Sequence, residues 1–265
     1  MQPSTSQNSA EISPRTRTPI VATSALCKAY QRKRPILKDI DLTIDVGERV
    51  ALIGSNGSGK STLLKCLIGL HVNSGGAVQT LGECFSQSPT SAQKRRLRRQ
   101  TGFVFQKHCL VRRRSVLSNV IHGRLGEPGS WRAYSHHTAP KDWRDAAMQA
   151  LASVNLEQFA QDRADALSGG QQQRVAIARA LVRAPKMLIA DEPAASLDPV
   201  AGHDVMGLFT RLCVQTGITL LFTSHDMSHA RQYADRIVAL KAGRIHFDKP
   251  SGDVTQTDLG EVFNA

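Results

Sequence analysis

The sequence predicts an α/β fold, with a mostly parallel sheet carrying helices on both faces. Three observations carry that expectation. Apolar runs at 50–53, 186–191 and 218–223 have the length and density of buried strands. Stretches with helical spacing, at 62–70, 169–183, 202–216 and 227–234, lie between them. A glycine-rich loop joins the first of these strands to the first of these helices. Strands that alternate with helices pair in parallel through crossovers.

Taken in order, residues 1–20 are polar, lack the apolar core of a secretory signal and are expected to form a disordered tail. Residues 21–30 alternate weakly and read as a strand ending at Tyr30; QRKRP after it reads as a charged turn. Residues 40–44 alternate cleanly, as a half-exposed strand does, so an antiparallel β region is expected near the N-terminus. After the strand at 50–53 and the helix at 62–70 come a turn at Asn73–Gly76 and a short strand at 77–81. Residues 91–99 can form a basic helix, 102–105 a strand, and 115–125 a helix capped by Ser115. Residues 126–141 are turn-rich and read as a loop or insertion carrying Trp131 and Tyr134. An amphipathic helix is expected at 142–154, and Gly217 should end the helix at 202–216. Residues 237–240 and 244–247 flank Ala242–Gly243 as a hairpin would. The stretch from about 90 to 165 has few strand signals and is expected to be a helical subdomain inserted in the domain spanning 21–265.

The glycine-rich loop carries the first chemistry. Gly54, Ser55, Asn56, Gly57, Ser58, Gly59, Lys60, Ser61 and Thr62 fit G-x-x-x-x-G-K-[ST] followed by a threonine, between a strand and a helix. Glycines let successive backbone N–H groups face one anion, and the helix start adds its positive dipole end. Lys60 can reach the β- and γ-phosphates of a nucleoside triphosphate, and the Ser61 hydroxyl can ligate Mg²⁺.

Further on, KMLIADEP is an apolar strand that ends in Asp191 and Glu192. Successive strand residues point to opposite faces, so one carboxylate can hold Mg²⁺ while the other orients and deprotonates a water. Adjacent carboxylates after a strand are also ordinary turn residues; the phosphate loop is what makes them the expected Mg²⁺ half of a site. In LSGGQQQR, Ser168 caps a helix that Gly169 and Gly170 begin, a second helix start able to bind an anion.

GSNGSGKST, GFVFQ, LSGGQQQR, LIADEP, ASLD and TSHD occur in this order across residues 54–226. Together they resemble the ATP-binding cassette (ABC) ATPases, which implies a P-loop NTPase core with the inserted helical subdomain, and ATP and Mg²⁺ as ligands. By that resemblance Tyr30 would stack on adenine. Gln106 would reach Mg²⁺ and the attacking water and sense a membrane partner. Ser168, Gly169 and Gly170 would close on the γ-phosphate of ATP held by a second subunit, Asp198 would link the two sites, and His225 would contact the γ-phosphate. Glu192 is the expected general base. Two anion-binding helix starts that cannot reach one phosphate tail imply a head-to-tail homodimer sandwiching two ATP molecules.

The longest apolar runs fall far short of the ~20 residues that span a bilayer. A cassette without its own membrane helices resembles the separate ATPase subunit of an importer. That implies a peripheral place on the cytoplasmic face of the inner membrane, docked on permease subunits and served indirectly by a solute-binding protein. Five scattered cysteines without metal-ligand spacing suit a reducing compartment, with Cys66 and Cys213 acting as small apolar residues. CLVRRRSVLSNVIHGRLG, the insertion near Trp131, DEPAASLDP and RIVAL most resemble the ATPases of phosphonate importers, while TSHD follows the general importer pattern. A phosphite or other oxyanion importer is the alternative.

Net charge is +12, and ten basic residues with no acidic one lie between Cys84 and Gly126. Such a patch suits nucleic acid, an anionic membrane or an acidic partner. A soluble cassette ATPase acting on nucleic acid is therefore a competing class. No aromatic residue interleaves Lys94–Arg99, which weakens binding by base stacking, and no nucleic-acid partner is expected.

Overall fold

The computed structural model describes residues 19–30, 34–106 and 108–263. The expected tail therefore lies outside the described residues, apart from Pro19 and Ile20, as does Lys107 of the basic run. Two sheets organise the chain. A six-stranded sheet runs β10 (Arg244–Pro250), β9 (Arg236–Lys241), β3 (Arg49–Ile53), β8 (Thr219–Thr223), β7 (Met187–Ala190), β6 (Thr101–Val104). All its pairs are parallel except the β9–β10 hairpin. A four-stranded antiparallel sheet runs β2 (Arg34–Asp45), β1 (Pro19–Tyr30), β4 (Gly75–Thr80), β5 (Glu83–Phe85).

The period of two in the parallel strands splits their side chains between two cores. Ala51, Ile53, Leu188, Ala190, Leu220 and Phe222 face one cluster. It is completed by α3 (Val116–Ile121), α4 (Lys141–Ala152), α5 (Gly169–Leu181), α6 (Pro199–Thr216) and α7 (Met227–Tyr233). Val50, Leu52, Met187, Ile189 and Leu221 face the other, which holds the antiparallel sheet, α1 (Lys60–Leu67) and Leu97 of α2 (Ser91–Gln100). The four fully buried residues 50–53 each contribute on the order of 1–3 kcal/mol, with Ala51 the least. That is why this strand reads as a continuous apolar run. Helix α1, with Leu63, Leu64, Cys66 and Leu67 buried, is wedged between the sheets. Burial pushes the thiols of Cys66 and Cys213 up to about 11 and about 12, so both are inert apolar fillers.

Several expectations shift. Strand β1 begins at Pro19, because Ile20 is buried and Pro19 pairs with Asp45, so these two residues belong to the fold rather than to a tail. Arg34 and Pro35 belong to β2 rather than to a turn. The strand expected at 102–105 forms one residue earlier, as β6, and pairs with β7 in the main sheet, with Gly102 so close to the Ala180 carbonyl that a side chain would not fit. Residues 126–141 contain a 3₁₀ turn at Ser130–Tyr134. Strand β5 and the C-terminal helix α8 (Gln256–Phe263) were not anticipated. The caps at Ser115 and Ser168, the left-handed Gly217 and the Ala242–Gly243 turn are as expected.

Among the described residues no helix is long and apolar enough to cross a membrane. Burial holds His108, His122, His136 and His229 below the usual imidazole value. The fold accommodates their neutral forms. They therefore add stability above about pH 6.5 that is lost as the pH falls through their lowered values. Thermal melting followed from pH 7.5 to 5.5 should show a falling Tm; a flat or rising Tm contradicts this assignment.

Candidate active site

Four adjacent parallel strands deliver their C-terminal ends to one edge, where ligands of open α/β sheets bind. The register aligns them: Leu52 lies opposite Thr223, Phe222 opposite Ala190, and Ala190 opposite Val104. The loop 54–59, Asp191–Glu192, Ser224–His225 and Phe105–Gln106 therefore emerge side by side.

The loop needs its glycines. Gly54, Gly57 and Gly59 all have positive φ. A Cβ on Gly54 would lie 2.3 Å from the Leu240 carbonyl oxygen, and one on Gly59 2.8 Å from Leu37. Helix α1 starts at Lys60, two residues before the sequence places it, and no acidic residue occupies its first turn. Lys60 Nζ is buried in the loop, donating to the carbonyls of Gly54 (2.8 Å) and Ser55 (3.2 Å). Burial lowers its pKa, and Glu192 and Asp191 oppose the shift. Ser58 Oγ is buried beside Gly54, without a hydrogen-bond partner among the described residues. Asn56 is exposed, whereas Ser55 and Thr62 are half-buried. A loop of this shape offers backbone donors and one ammonium group to a polyphosphate.

Asp191 is the hub of the site. Its Oδ1 accepts from Ser61 Oγ and from Thr223 Oγ1, each at 2.9 Å, and its N–H donates to the Val104 carbonyl at 2.9 Å. The Thr223 hydroxyl in turn accepts from the Glu192 N–H at 2.7 Å. Glu192 has φ of 50°, a left-handed conformation that costs a non-glycine residue about 1–3 kcal/mol. That bend swings the Glu192 side chain out of the strand. Its Oε2 accepts from Gln106 Nε2 at 2.7 Å, and its Oε1 contacts His225 Nε2. So Lys60, Ser61, Gln106, Asp191, Glu192 and His225 come together, as the sequence anticipates.

The donor set suits Mg²⁺. The Ser61 hydroxyl and the Asp191 carboxylate are hard oxygen ligands. Among the described residues no cluster of three or more His, Cys, Asp or Glu is placed to hold a metal. Mg²⁺ at such a pair completes its shell with phosphate oxygens and water. Lys60 alone faces two carboxylates, so a polyphosphate gains from arriving with a divalent cation.

Other anticipated residues lie apart from this cluster. Tyr30 ends β1, is 43% exposed, has Lys28 Nζ 4.6 Å from its ring centroid and meets His71 edge-on at 5.6 Å. Ser168 caps α5 in a reciprocal box with Gln171, which stabilises the helix start by about 1 kcal/mol. Gly169 and Gly170 abut Leu197 and Ala201, not the phosphate loop. Asp198 caps α6 by accepting from the Ala201 N–H at 3.0 Å.

Two residues that sequence reasoning missed shape the site. Thr223 is one; it ends an apolar strand, and only the fold brings it beside Asp191. Arg179 is the other. It sits on the apolar face of α5 and donates to the carbonyls of His108 and Cys109, both at 2.7 Å, with burial lowering its pKa. It thereby clamps the segment just beyond Gln106. A basic side chain amid Val175–Leu181 was the sequence signal.

A phosphate-binding loop, a carboxylate pair and a histidine at the C-terminal edge of a parallel sheet define a nucleoside-triphosphatase. The ABC transporter family model matches residues 37–195, more than half the chain. A phosphonates import ATP-binding protein of Pseudomonas syringae pv. syringae is 45% identical over 244 residues, covering 91% of this chain and 87% of that one. One from Rhodopseudomonas palustris is 41% identical, covering 90% and 87%. Among solved structures, the dimeric post-hydrolysis form of the ATP-binding cassette MJ0796, bound to ADP and Pi, is 32% identical with a TM-score of 0.74, covering 87% of this chain and 98% of that one. The ADP conformation of the cassette MJ1267 is 25% identical with a TM-score of 0.81, covering 92% and 97%. This chain belongs to the ABC transporter family, as an ATP-binding and ATP-hydrolysing cassette.

Thr223→Val keeps the strand's shape and removes both of its hydroxyl bonds. An unpaired N–H at Glu192 and a weaker hold on Asp191 should cost about 1–3 kcal/mol, read as kcat falling about tenfold or more with little change in nucleotide affinity. An unchanged kcat would show that the Thr223 bridge is dispensable.

Proposed function

We propose that this chain is the ATPase of a phosphonate importer, working as a homodimer bound to permease subunits on the cytoplasmic face of the membrane. The observation that carries the catalytic part is Glu192, bent out of β7 and held between Gln106 and His225 beside the Ser61–Asp191 pair. The identity of the solute rests on the relatives, which are phosphonates import ATP-binding proteins at 41–45% identity over most of both chains. A cassette does not touch the solute, so ancestry is the only route by which its sequence reports one.

In this reading Lys60 exchanges the carbonyls of Gly54 and Ser55 for phosphate oxygens, and the backbone of the loop 54–59 orients the chain of phosphates. Ser61, Asp191 and Gln106 would hold Mg²⁺, which supplies charge neutralisation at the β- and γ-phosphates when bound. Glu192 orients a water and accepts its proton as the general base. Gln106 positions that water from the other side, and His225 donates to the γ-phosphate. Tyr30 offers its free face to the adenine ring. Ser168, Gly169 and Gly170 of one protomer meet the γ-phosphate held by its partner, with Asp198 near the junction. ATP then closes the pair, and hydrolysis removes the contact that favours closure. The segment after Gln106, clamped to α5 by Arg179, is suited to pass permease movement to both the glutamine and the signature.

Glu192→Gln should bind ATP normally, lose hydrolysis by at least a hundredfold, on the order expected for a general base, and run as a dimer in Mg-ATP by light scattering. A monomer under saturating Mg-ATP, with and without the permease, would sink the shared-site reading. A strain lacking this chain should lose phosphonate uptake and regain it with the wild type. Loss of phosphite uptake alone would reassign the solute.

A further inference from the structure

The segment that follows α3 brings aromatic and basic side chains to one surface. Ser130–Tyr134 is a 3₁₀ turn, in which residues three apart point the same way. Trp131 and Tyr134 are so spaced, and they are 70% and 67% exposed, so both rings stand proud of the fold. The Arg114 guanidinium lies 4.6 Å from the Tyr134 ring centroid and that of Arg132 5.4 Å from the Trp131 ring. His122 Nε2 lies 3.3 Å from the Tyr134 carbonyl and fixes the turn against the end of α3. Leu125 and Val111 are exposed apolar neighbours in sequence to this basic run.

The positive charge there is not cancelled. Arg112, Arg113, Arg114 and Arg132 make no ion pair among the described residues. Glu127 is held by Arg124 (3.3 Å) and Arg183 (3.1 Å), and Asp165 by Arg163 (2.7 Å), although Asp165 also lies within electrostatic reach of Arg112. Exposed tryptophan and tyrosine flanked by unpaired arginines is the chemistry of a membrane interface. The rings seat at headgroup level, and the guanidinium groups pair with lipid phosphates.

We propose that Trp131 and Tyr134, with Arg114 and Arg132, form a contact with the anionic lipid surface beside the permease. The proposal rests on the peripheral membrane location proposed above. Its occupant is anionic phospholipid because the Arg114 and Arg132 guanidinium groups, which make no ion pair among the described residues, lie beside rings too exposed to line a groove.

The test uses the full chain without a permease, mixed with phosphatidylcholine vesicles with or without phosphatidylglycerol, at low and high salt. Sedimentation with the phosphatidylglycerol vesicles is expected, together with a blue shift of tryptophan fluorescence, and both should vanish at high salt. Trp143 is buried, so the shift reports Trp131. Tyr134→Ala should shrink the shift. Arg114→Gln and Arg132→Gln should each weaken vesicle binding by roughly fivefold, and all three should keep the ATP affinity of the wild type. Equal binding to both vesicle types, or variants that bind like the wild type, would overturn the proposal. So would variants that spare vesicle binding but reduce capture by detergent-solubilised permease, which would make the surface a protein contact. Failure of phosphonate uptake with vesicle binding intact would remove the solute reading and leave the lipid contact standing.

Discussion

The Asp191 carboxylate is the tie on which the site depends. One oxygen receives Ser61 from the first turn of α1 and Thr223 from the tip of β8, while the Asp191 N–H is anchored to β6. A nearly buried carboxylate is tolerable only because those donors satisfy it. The same bonds fix the phosphate loop, the carboxylate pair and the strand leading to His225 relative to one another. Phosphate binding at α1 is therefore mechanically adjacent to the place where a water would be activated. The Thr223 hydroxyl, donating to Asp191 and accepting from Glu192, also holds Glu192 in its left-handed bend.

A second physical link runs outward from Glu192. Gln106 reaches it from the end of β6, and the carbonyls of His108 and Cys109 are clamped by Arg179 near the C-terminal end of α5. Ser168 lies at the other end of that helix. Thirteen residues make a rigid strut about 20 Å long. One helix thus carries Ser168–Gly170 at one end and grips the segment after Gln106 at the other. That geometry is suited to couple the two places without any intervening wire of side chains.

Legibility followed burial. The parallel strands and their order of motifs were readable because both faces of each strand are covered, which leaves an unbroken apolar run such as Val50–Ile53. Ser115, Ser168 and Gly217 were readable because their roles are local to the chain. Strand β5 was missed because it has three residues and a single buried side chain. Helix α8 was missed because its fit depends on Leu259 and Val262 reaching a core assembled from distant segments. The strand expected at 102–105 forms as β6, one residue earlier, and its pairing with β7 places it in the main sheet, which its own four residues do not reveal. In the site, motif order placed Lys60, Asp191, Glu192 and His225. Thr223 and Arg179 work through long-range hydrogen bonds, which no spacing in the sequence displays.

The two helix starts bear on the proposed pairing of chains. Neither α1 nor α5 has an acidic residue in its first turn, so neither positive end is neutralised from within. At α5 the Ser168–Gln171 box satisfies only two backbone N–H groups, leaving those of Gly169 and Gly170 at an exposed helix start. Those glycines lean on Leu197 and Ala201, at the beginning of α6, rather than on the loop 54–59. An anion bound at α1 of the same chain therefore cannot complete them. A second chain presenting its own phosphate loop can, and the γ-phosphate is the group whose loss would release both.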